Sequence, residues 1–524
     1  MKIRIHASLL ALTLALSACG GGAAANSEQP QAVENTPSQQ SAPATEKVIR
    51  LSRSWEDTSW DPAALTGADQ AALAPQIYET LCVLQEDGSS SPLLAESWDI
   101  SPDGKSYTFH LKKGVQFHRG YGEMTSADVL FSFQRQSDPE VASIHAEALN
   151  LENIESIEAP DDYTVVFALK KQDVDFITRV SQFQAIILSK AAGEELGVSG
   201  MASTPIGTGP FMFEEGTLGV KTEAVKFPEF WGGEPKIDRV VNTIITDTNT
   251  NYSAFENDEL DIIFVYYADK VKEYVDKGYI DYYIPSRQLL YVGVNMQSEP
   301  WNNEKVREAF FKSIDPQYYI DSLFYGKESF TGGYIPPSCK YALVDYLKPD
   351  LDPEGAKSLL SDAGFTVPIN TTLWTVNDDI SPPPALITQS LLSKAGFNTE
   401  LQMVDFGVFI DKVRSGEAGM WLLYNSTPVT SDETISRYMS EKYPGSNWCG
   451  ITDATYDELV SKGVDADSED EKAEFFKQAQ KRLIDLQVLY PVCTYGYDFM
   501  AKPNITGIEM WGDHCIRLRN ADIS

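Results

Sequence analysis

The sequence predicts an α/β protein of two or three lobes, β-rich at its start and alternating helix with strand later. Three observations carry this. The chain has 524 residues, more than one compact core accommodates. Its early folded part alternates apolar and polar residues with a period of two, whereas its later part carries helix caps and glycine stops. Two near-identical stretches, SLLSDAGF (358–365) and SLLSKAGF (390–397), each finish a helix and lead into strand-like residues.

In chain order, residues 1–18 read as a secretion leader. Lys2 and Arg4 form a positive start, Leu9 to Leu16 a short apolar run, and Ser17-Ala18 precede Cys19. The run is far shorter than the roughly 20 apolar residues that cross a bilayer as a helix, and no later segment is long and apolar enough. Leu-Ser-Ala-Cys resembles the bacterial lipoprotein signal, in which the cysteine sulfur receives a diacylglycerol and cleavage falls just before it. Cys19 is therefore the expected lipidation site, the alternative being an ordinary cleavable leader with an incidental cysteine. Residues 19–47 are rich in Ala, Ser, Gln, Pro and Glu. Such a segment buries too little surface to fold and reads as a tether reaching on the order of 30 Å.

The first folded part follows. In SWDISPDGKSYTFHLKKGVQF, Pro102, Asp103 and Gly104 supply a turn, and Tyr107, Phe109 and Leu111 alternate with polar residues as a strand. YTVVFAL (163–169) is another strand. From about residue 300 the signals become helical. Asn302 or Asn303 caps EKVREAFFKSI. Asp352, Pro353 and Gly364 mark the cap, first turn and stop of the next helix. The repeated AGF stops, followed by TVPINTTLWTV and NTELQMVDF, fit helix–strand units on a parallel sheet. Ser468 and Glu471 have capping-box spacing before a helix whose Phe476, Ala479, Leu483 and Leu486 share one face.

Charge and motif content narrow the function. The formal net charge is −34, and removing the leader with Lys2 and Arg4 takes it to −36. Nucleic-acid binding needs a basic surface, so that class is set aside. Beyond the leader the cysteines are Cys82, Cys339, Cys449, Cys493 and Cys515. They are scattered, odd in number and without a CxxC pair, which excludes a dense disulfide framework and a zinc ribbon. The sequence has no HExxH, no GxSxG elbow and no GxxxxGK[ST] loop. His118 reads as a surface or packing residue. No enzyme, no cofactor and no metal site is expected, a surface lipoprotein hydrolase being the disfavoured alternative.

Several stretches resemble family 5 of the bacterial extracellular solute-binding proteins, the peptide, dipeptide and nickel receptors of ABC importers. They run LAESW, DGKSYTFHLKKGVQFH and TSADVLFSF within 93–133, then TPIGTGPFMF (204–213), FWGGEPKIDRV (230–240) and NDELDI (257–262). VGVNMQSEPWNNEKVREAFFKSID (292–315), GGYIPP (332–337) and GSNWCGITDATYDELV (445–460) complete them. The resemblance implies a two-lobed periplasmic-binding-protein fold of type II, cluster C-like, with an extra N-terminal β-rich subdomain and a hinged cleft. Lobe I would span 48–284, lobe II 285–490, and 491–524 would return to lobe I. It implies a monomer on the outer face of the cell membrane, which captures a peptide or similar solute and hands it to permease subunits.

The resemblance also suggests the site. GMWLLYNSTPVTSDETI (419–435) corresponds to the family segment in which an aromatic residue packs beside the ligand and an acid pairs with a peptide's ammonium. Tyr424 takes the aromatic position, with Trp421 close by. The acid, three residues on, is replaced by Thr427. A buried ammonium without a carboxylate would be costly. Either Asp432 substitutes, then, or the ligand is not a standard peptide amine, and a nickel chelate, an opine or an oligosaccharide stays open. Trp55 and Trp60, around WDP, and Trp448 in NWCG are further wall candidates. Arg414 could meet a ligand carboxylate through a bidentate pair, the alternative being a solvated helix-face arginine.

Overall fold

The computed structural model describes residues 46–54, 59–65, 73–85, 88–513 and 515–524. The leader, Cys19, nearly all of the tether, Trp55 and His514 lie outside the described residues.

Local chemistry builds the first part as the pattern predicts. Gly104 adopts φ +65°, which a residue without Cβ takes at no steric cost. The chain then enters strand Ser106–Leu111, where Tyr107, Phe109 and Leu111 are buried and their neighbours half-buried. Strand Thr164–Leu169 pairs with it antiparallel, placing Val165 opposite Phe109. With Ala95–Ile100 and Ile154–Asp161 these form a four-stranded sheet. Val129 and Phe133 of helix Ser126–Arg135 complete a separate core on it, with Phe167 edge-on to both Phe109 and Phe133.

A ten-stranded sheet organises the rest. Its middle consists of two long antiparallel strands, Ile280–Val294 and Leu489–Ala501. On one side lie Ile262–Val265, Val48–Arg53, Arg239–Ile244, Lys221–Lys226 and Phe211–Thr217; on the other lie Met420–Ser426, Ile369–Val376 and Phe397–Val404. Each long strand serves both sides. Ile280 to Ile284 and Asp498 to Ala501 keep the company of Ile262–Val265, whereas Gln288 to Val294 pair with Met420–Ser426. Between these stretches the register shifts, from Ile284 opposite Tyr497 to Gln288 opposite Tyr495. Pro285 sits in that break, and a proline has no N–H for the ladder. The positions where the sequence divides the lobes, 284/285 and 490/491, thus fall within these two strands.

The helix signals are reproduced in atomic detail. Asn303 caps Glu304–Phe311 by accepting from the Lys305 amide, and Asp352 caps Pro353–Asp362 by accepting from the Gly355 amide. Gly364 and Gly396, at φ +90° and +92°, stop the two repeated helices. The strands that follow, Ile369–Val376 and Phe397–Val404, pair parallel from Ile369 opposite Phe397 onward. Ser468 accepts from the Glu471 amide at the start of Glu469–Asp485, and Phe476, Ala479 and Leu483 are fully buried. Leu486 lies just past the end of that helix and is half-buried. Cys82, Cys339, Cys449, Cys493 and Cys515 are buried, and none is joined to another by a disulfide among the described residues. Among the described residues no helix is long and apolar enough to cross a membrane.

Candidate functional site

A pocket of about 230 Å³, open to solvent on one side, lies beside the long strands. One wall comes from the earlier half of the chain. Tyr266 and Tyr267 follow strand Ile262–Val265, and Ala268 and Asp269 open the next helix. The facing wall comes from the later half: Ser322 to Tyr325, at the end of helix Pro316–Phe324, and Asp379 to Pro384, at the start of helix Pro382–Lys394. Tyr424 and Tyr495 lie against each other between the walls, ring centroids 4.8 Å apart. Tyr424 stands opposite Leu290 and Tyr495 opposite Gln288, just past the register break. Two hydrogen bonds join the walls. Thr248 Oγ1 donates to Asp379 Oδ2 at 2.6 Å, and the Tyr267 hydroxyl donates to the Asp379 carbonyl at 3.2 Å. Burial raises the Tyr424 and Tyr495 phenols well above their ordinary range, so both remain neutral donors at physiological pH.

Asp432 goes elsewhere. It opens helix Asp432–Ser436 and enters a buried ionic cluster. Its Oδ2 accepts from Lys472 Nζ at 2.8 Å and from Arg179 Nη2 at 3.2 Å. Asp175, with a side chain 0% exposed, takes Lys340 Nζ at 2.8 Å on one oxygen and Lys472 Nζ at 2.7 Å on the other. The Tyr341 hydroxyl also donates to Asp175, and Arg179 Nε reaches Asp173 at 3.0 Å. Burial opposes the Asp175 charge, but the Lys472 and Lys340 ammoniums outweigh it and hold the pKa below the ordinary value. For Asp432 burial dominates, and the pKa is raised despite Lys472 and Arg179. Asp173, Asp175 and Arg179 come from the earlier half of the chain, while Lys340, Tyr341, Asp432 and Lys472 come from the later half. The cluster is therefore a second junction between them.

The other candidates separate just as clearly. Trp421 is 0% exposed and faces Gly293, where a Cβ would come within 2.5 Å of its ring. Trp448 packs edge-on to it with centroids 6.3 Å apart, so both lie in the core away from the Tyr424 cavity. Trp60 packs on Phe213 at 4.7 Å and lines a smaller cavity with Asn242. Arg414 is exposed at the end of helix Phe406–Arg414. Thr427 is 1% exposed and its hydroxyl has no hydrogen-bond partner among the described residues. His118 is buried: its Nε2 pairs with the Gly209 carbonyl, its Nδ1 accepts from the Gly207 amide, and burial lowers its pKa to about 4. Among the described residues no cluster of His, Cys, Asp or Glu could hold a metal.

The sequence reading reached Tyr424 but not Tyr266, Tyr267, Tyr495, Asp269 or Asp379. One signal was available. Tyr266 and Tyr267 close the apolar run IIFV, and Asp378 and Asp379 follow LWTV. Residues just past the carboxyl ends of parallel strands are where α/β sheets place ligands.

Walls from two parts of the chain thus face each other around an aromatic cavity. Residues 90–447 match the Bacterial extracellular solute-binding proteins, family 5 Middle, and the chain belongs to that family. It is 28% identical to Heme-binding protein A of Haemophilus influenzae, over 92% of each protein. It is 27% identical to the Dipeptide-binding protein of Escherichia coli K12, over 74% of this chain and 78% of that one. Among solved structures, the periplasmic binding protein DppA of Helicobacter pylori in complex with the peptide STSA superposes with TM-score 0.75 at 25% identity, covering 91% of this chain and 98% of that one. The ABC transporter substrate-binding protein CtaP of Listeria monocytogenes does so with TM-score 0.82 at 22% identity, covering 91% and 99%. The fold is accordingly the two-lobed α/β fold of periplasmic binding proteins, and the family is one of extracytoplasmic solute-binding transport proteins, not of enzymes.

Proposed function

We propose that this chain is the substrate-binding lipoprotein of an ABC importer, which captures a di- or oligopeptide between its lobes and delivers it to the permease. The observation that carries the reading is the Tyr424 cavity, whose walls come from both halves of a chain joined by two long strands with a register break. A ligand that touches both walls stabilises the closed arrangement by its differential affinity, and a permease reads the closed, loaded form. The lobes are 48–284 and 285–490, with 491–524 returning to the first, and the hinge lies at Pro285 to Arg287. Cys19 carries the lipid and residues 19–47 the leash, which keeps a monomeric receptor at the outer face of the membrane.

Native mass spectrometry of freshly purified protein tests this reading by naming the cargo it carries. Incubation with a dipeptide mixture should leave intact peptide on the protein, and cleaved products would overturn the reading. The mass of the amino-terminal fragment should show Cys19 with a diacylglycerol and a further acyl chain.

Thr427 favours one second reading. No carboxylate stands at the position where the resemblance places the ammonium partner, and the Thr427 hydroxyl is buried and unpartnered among the described residues. A non-peptide solute such as a nickel chelate, an opine or an oligosaccharide would not need that acid. The cargo mass separates the two.

A further inference from the structure

We infer that the Tyr424 cavity selects a cationic group other than the amino terminus that every peptide carries, so that the preferred cargo seats a side-chain ammonium or guanidinium there; this rests on reading the cavity as the ligand site.

Four independent features of the walls agree. The first is the charge of the lining, which holds two carboxylates, Asp269 and Asp379, and no lysine or arginine. Asp379 accepts from the Thr248 hydroxyl and Asp269 from the Lys270 amide, and neither carboxylate pairs with a cation among the described residues. Their negative charge is unspent, in contrast to Asp175 and Asp432 in the ionic cluster. The second is the aromatic surface. Tyr266, Tyr267, Tyr325, Tyr424 and Tyr495 all contribute to the lining, and the electron-rich faces of such rings attract cations within about 6 Å.

The third and fourth concern backbone dipoles. Ser322 to Tyr325 form the carboxyl end of helix Pro316–Phe324, with Tyr325 in the left-handed conformation at φ 52°. That end of a helix carries partial negative charge and favours cations. The opposing helix, Pro382–Lys394, presents its amino end, which would ordinarily attract an anion. It begins Pro382-Pro383-Pro384, so its first turn has no N–H group to offer. The amino end of helix Ala268–Asp276 carries Asp269 in its own first turn. Each feature that could have bound an anion is thus removed or neutralised, and each that binds a cation is kept.

The test measures calorimetric affinities of the purified full chain for Ala-Arg, Ala-Lys, Ala-Ala and Ala-Glu, and for the non-peptide cation agmatine. Ala-Arg and Ala-Lys should bind at least tenfold tighter than Ala-Ala, with Ala-Glu weakest. The preference should shrink as salt screens the aspartates, and should fall below threefold in an Asp269→Asn, Asp379→Asn double variant. Both positions are exposed, and asparagine retains an acceptor for Thr248, so the variant should fold. Ala-Ala or Ala-Glu binding as tightly as Ala-Arg would overturn the inference and leave the peptide reading standing. Agmatine binding that the double variant loses, with no peptide bound, would overturn the peptide reading and support cation selection. If no cationic probe binds, the inference fails.

Discussion

Tyr424 and Asp432 lie eight residues apart in one segment, yet each serves a different junction between the halves of the chain. The Tyr424 junction has rings, exposed aspartates without ionic partners among the described residues, and space. At the Asp432 junction two ammoniums, a guanidinium and a phenol are bound to carboxylates at hydrogen-bond distance. The difference shows which junction is structural. The cluster's charges find counter-charges inside the protein, although Asp432 Oδ1 has no hydrogen bond among the described residues. A cavity whose carboxylates lack counter-charges is incomplete until something enters it. Asp432, whose Oδ2 already serves Lys472 and Arg179, does not line the Tyr424 cavity.

The largest expected effect breaks the structural side. Asp175→Asn removes the charge shared by the half-buried Lys340 and the buried Lys472. Each retains another partner, Glu469 for Lys340 and Asp432 for Lys472. The expected loss is therefore about 3 kcal/mol, the lower end for breaking a buried pair. A urea unfolding curve reads it, and a loss below about 1 kcal/mol would mean that the cluster does not join the halves.

The pH dependence sharpens the same side. Asp175 has a folded pKa below 3.8, so its contribution is present above the unfolded value and is lost as pH falls through the folded one. Lys340 and Lys472 have folded pKa values above 10.5, so theirs is complete below 10.5 and is lost as pH rises beyond. Asp432, raised by burial, works against the cluster once ionised. Stability measured from pH 3 to 11 should therefore fall at both ends, and Asp175→Asn should flatten the acid limb. An unchanged acid limb in that variant would place the titration elsewhere.

How far each junction was legible in the sequence follows from its physics. Caps, stops and period-two strands are local, and Asp352, Asn303, Ser468 and Tyr107 could be placed from their neighbours. Tyr424 came from a motif. The ionic cluster had no local signal, because Asp175 meets Lys472 across 297 residues and Arg179 meets Asp432 across 253. The core role of Trp421 and Trp448 was equally hidden, since a tryptophan looks the same in sequence whether it faces a cleft or the core. Tyr266 and Asp379 could have been found from the strand ends that precede them.

On the binding side, Tyr424→Ala should weaken cargo about tenfold, near the 1.4 kcal/mol that loss of one packed aromatic face implies. Circular dichroism should stay native at 25 °C, because the ring is only half-buried. Unchanged affinity would remove Tyr424 from the site and leave the cavity without its central ring.

The smallest effect is expected at Arg414. Its side chain is exposed at the carboxyl end of a surface helix, where a cation is worth about 0.5 kcal/mol through the helix dipole. Arg414→Ala should cost no more than that in unfolding free energy and change cargo affinity less than twofold. A tenfold loss would carry a larger consequence than its size suggests. It would mean that a guanidinium reaches the cargo after all, that the enclosed ligand presents an anion to the protein, and that the uncompensated aspartates beside Tyr424 do not set the charge of what the cleft accepts.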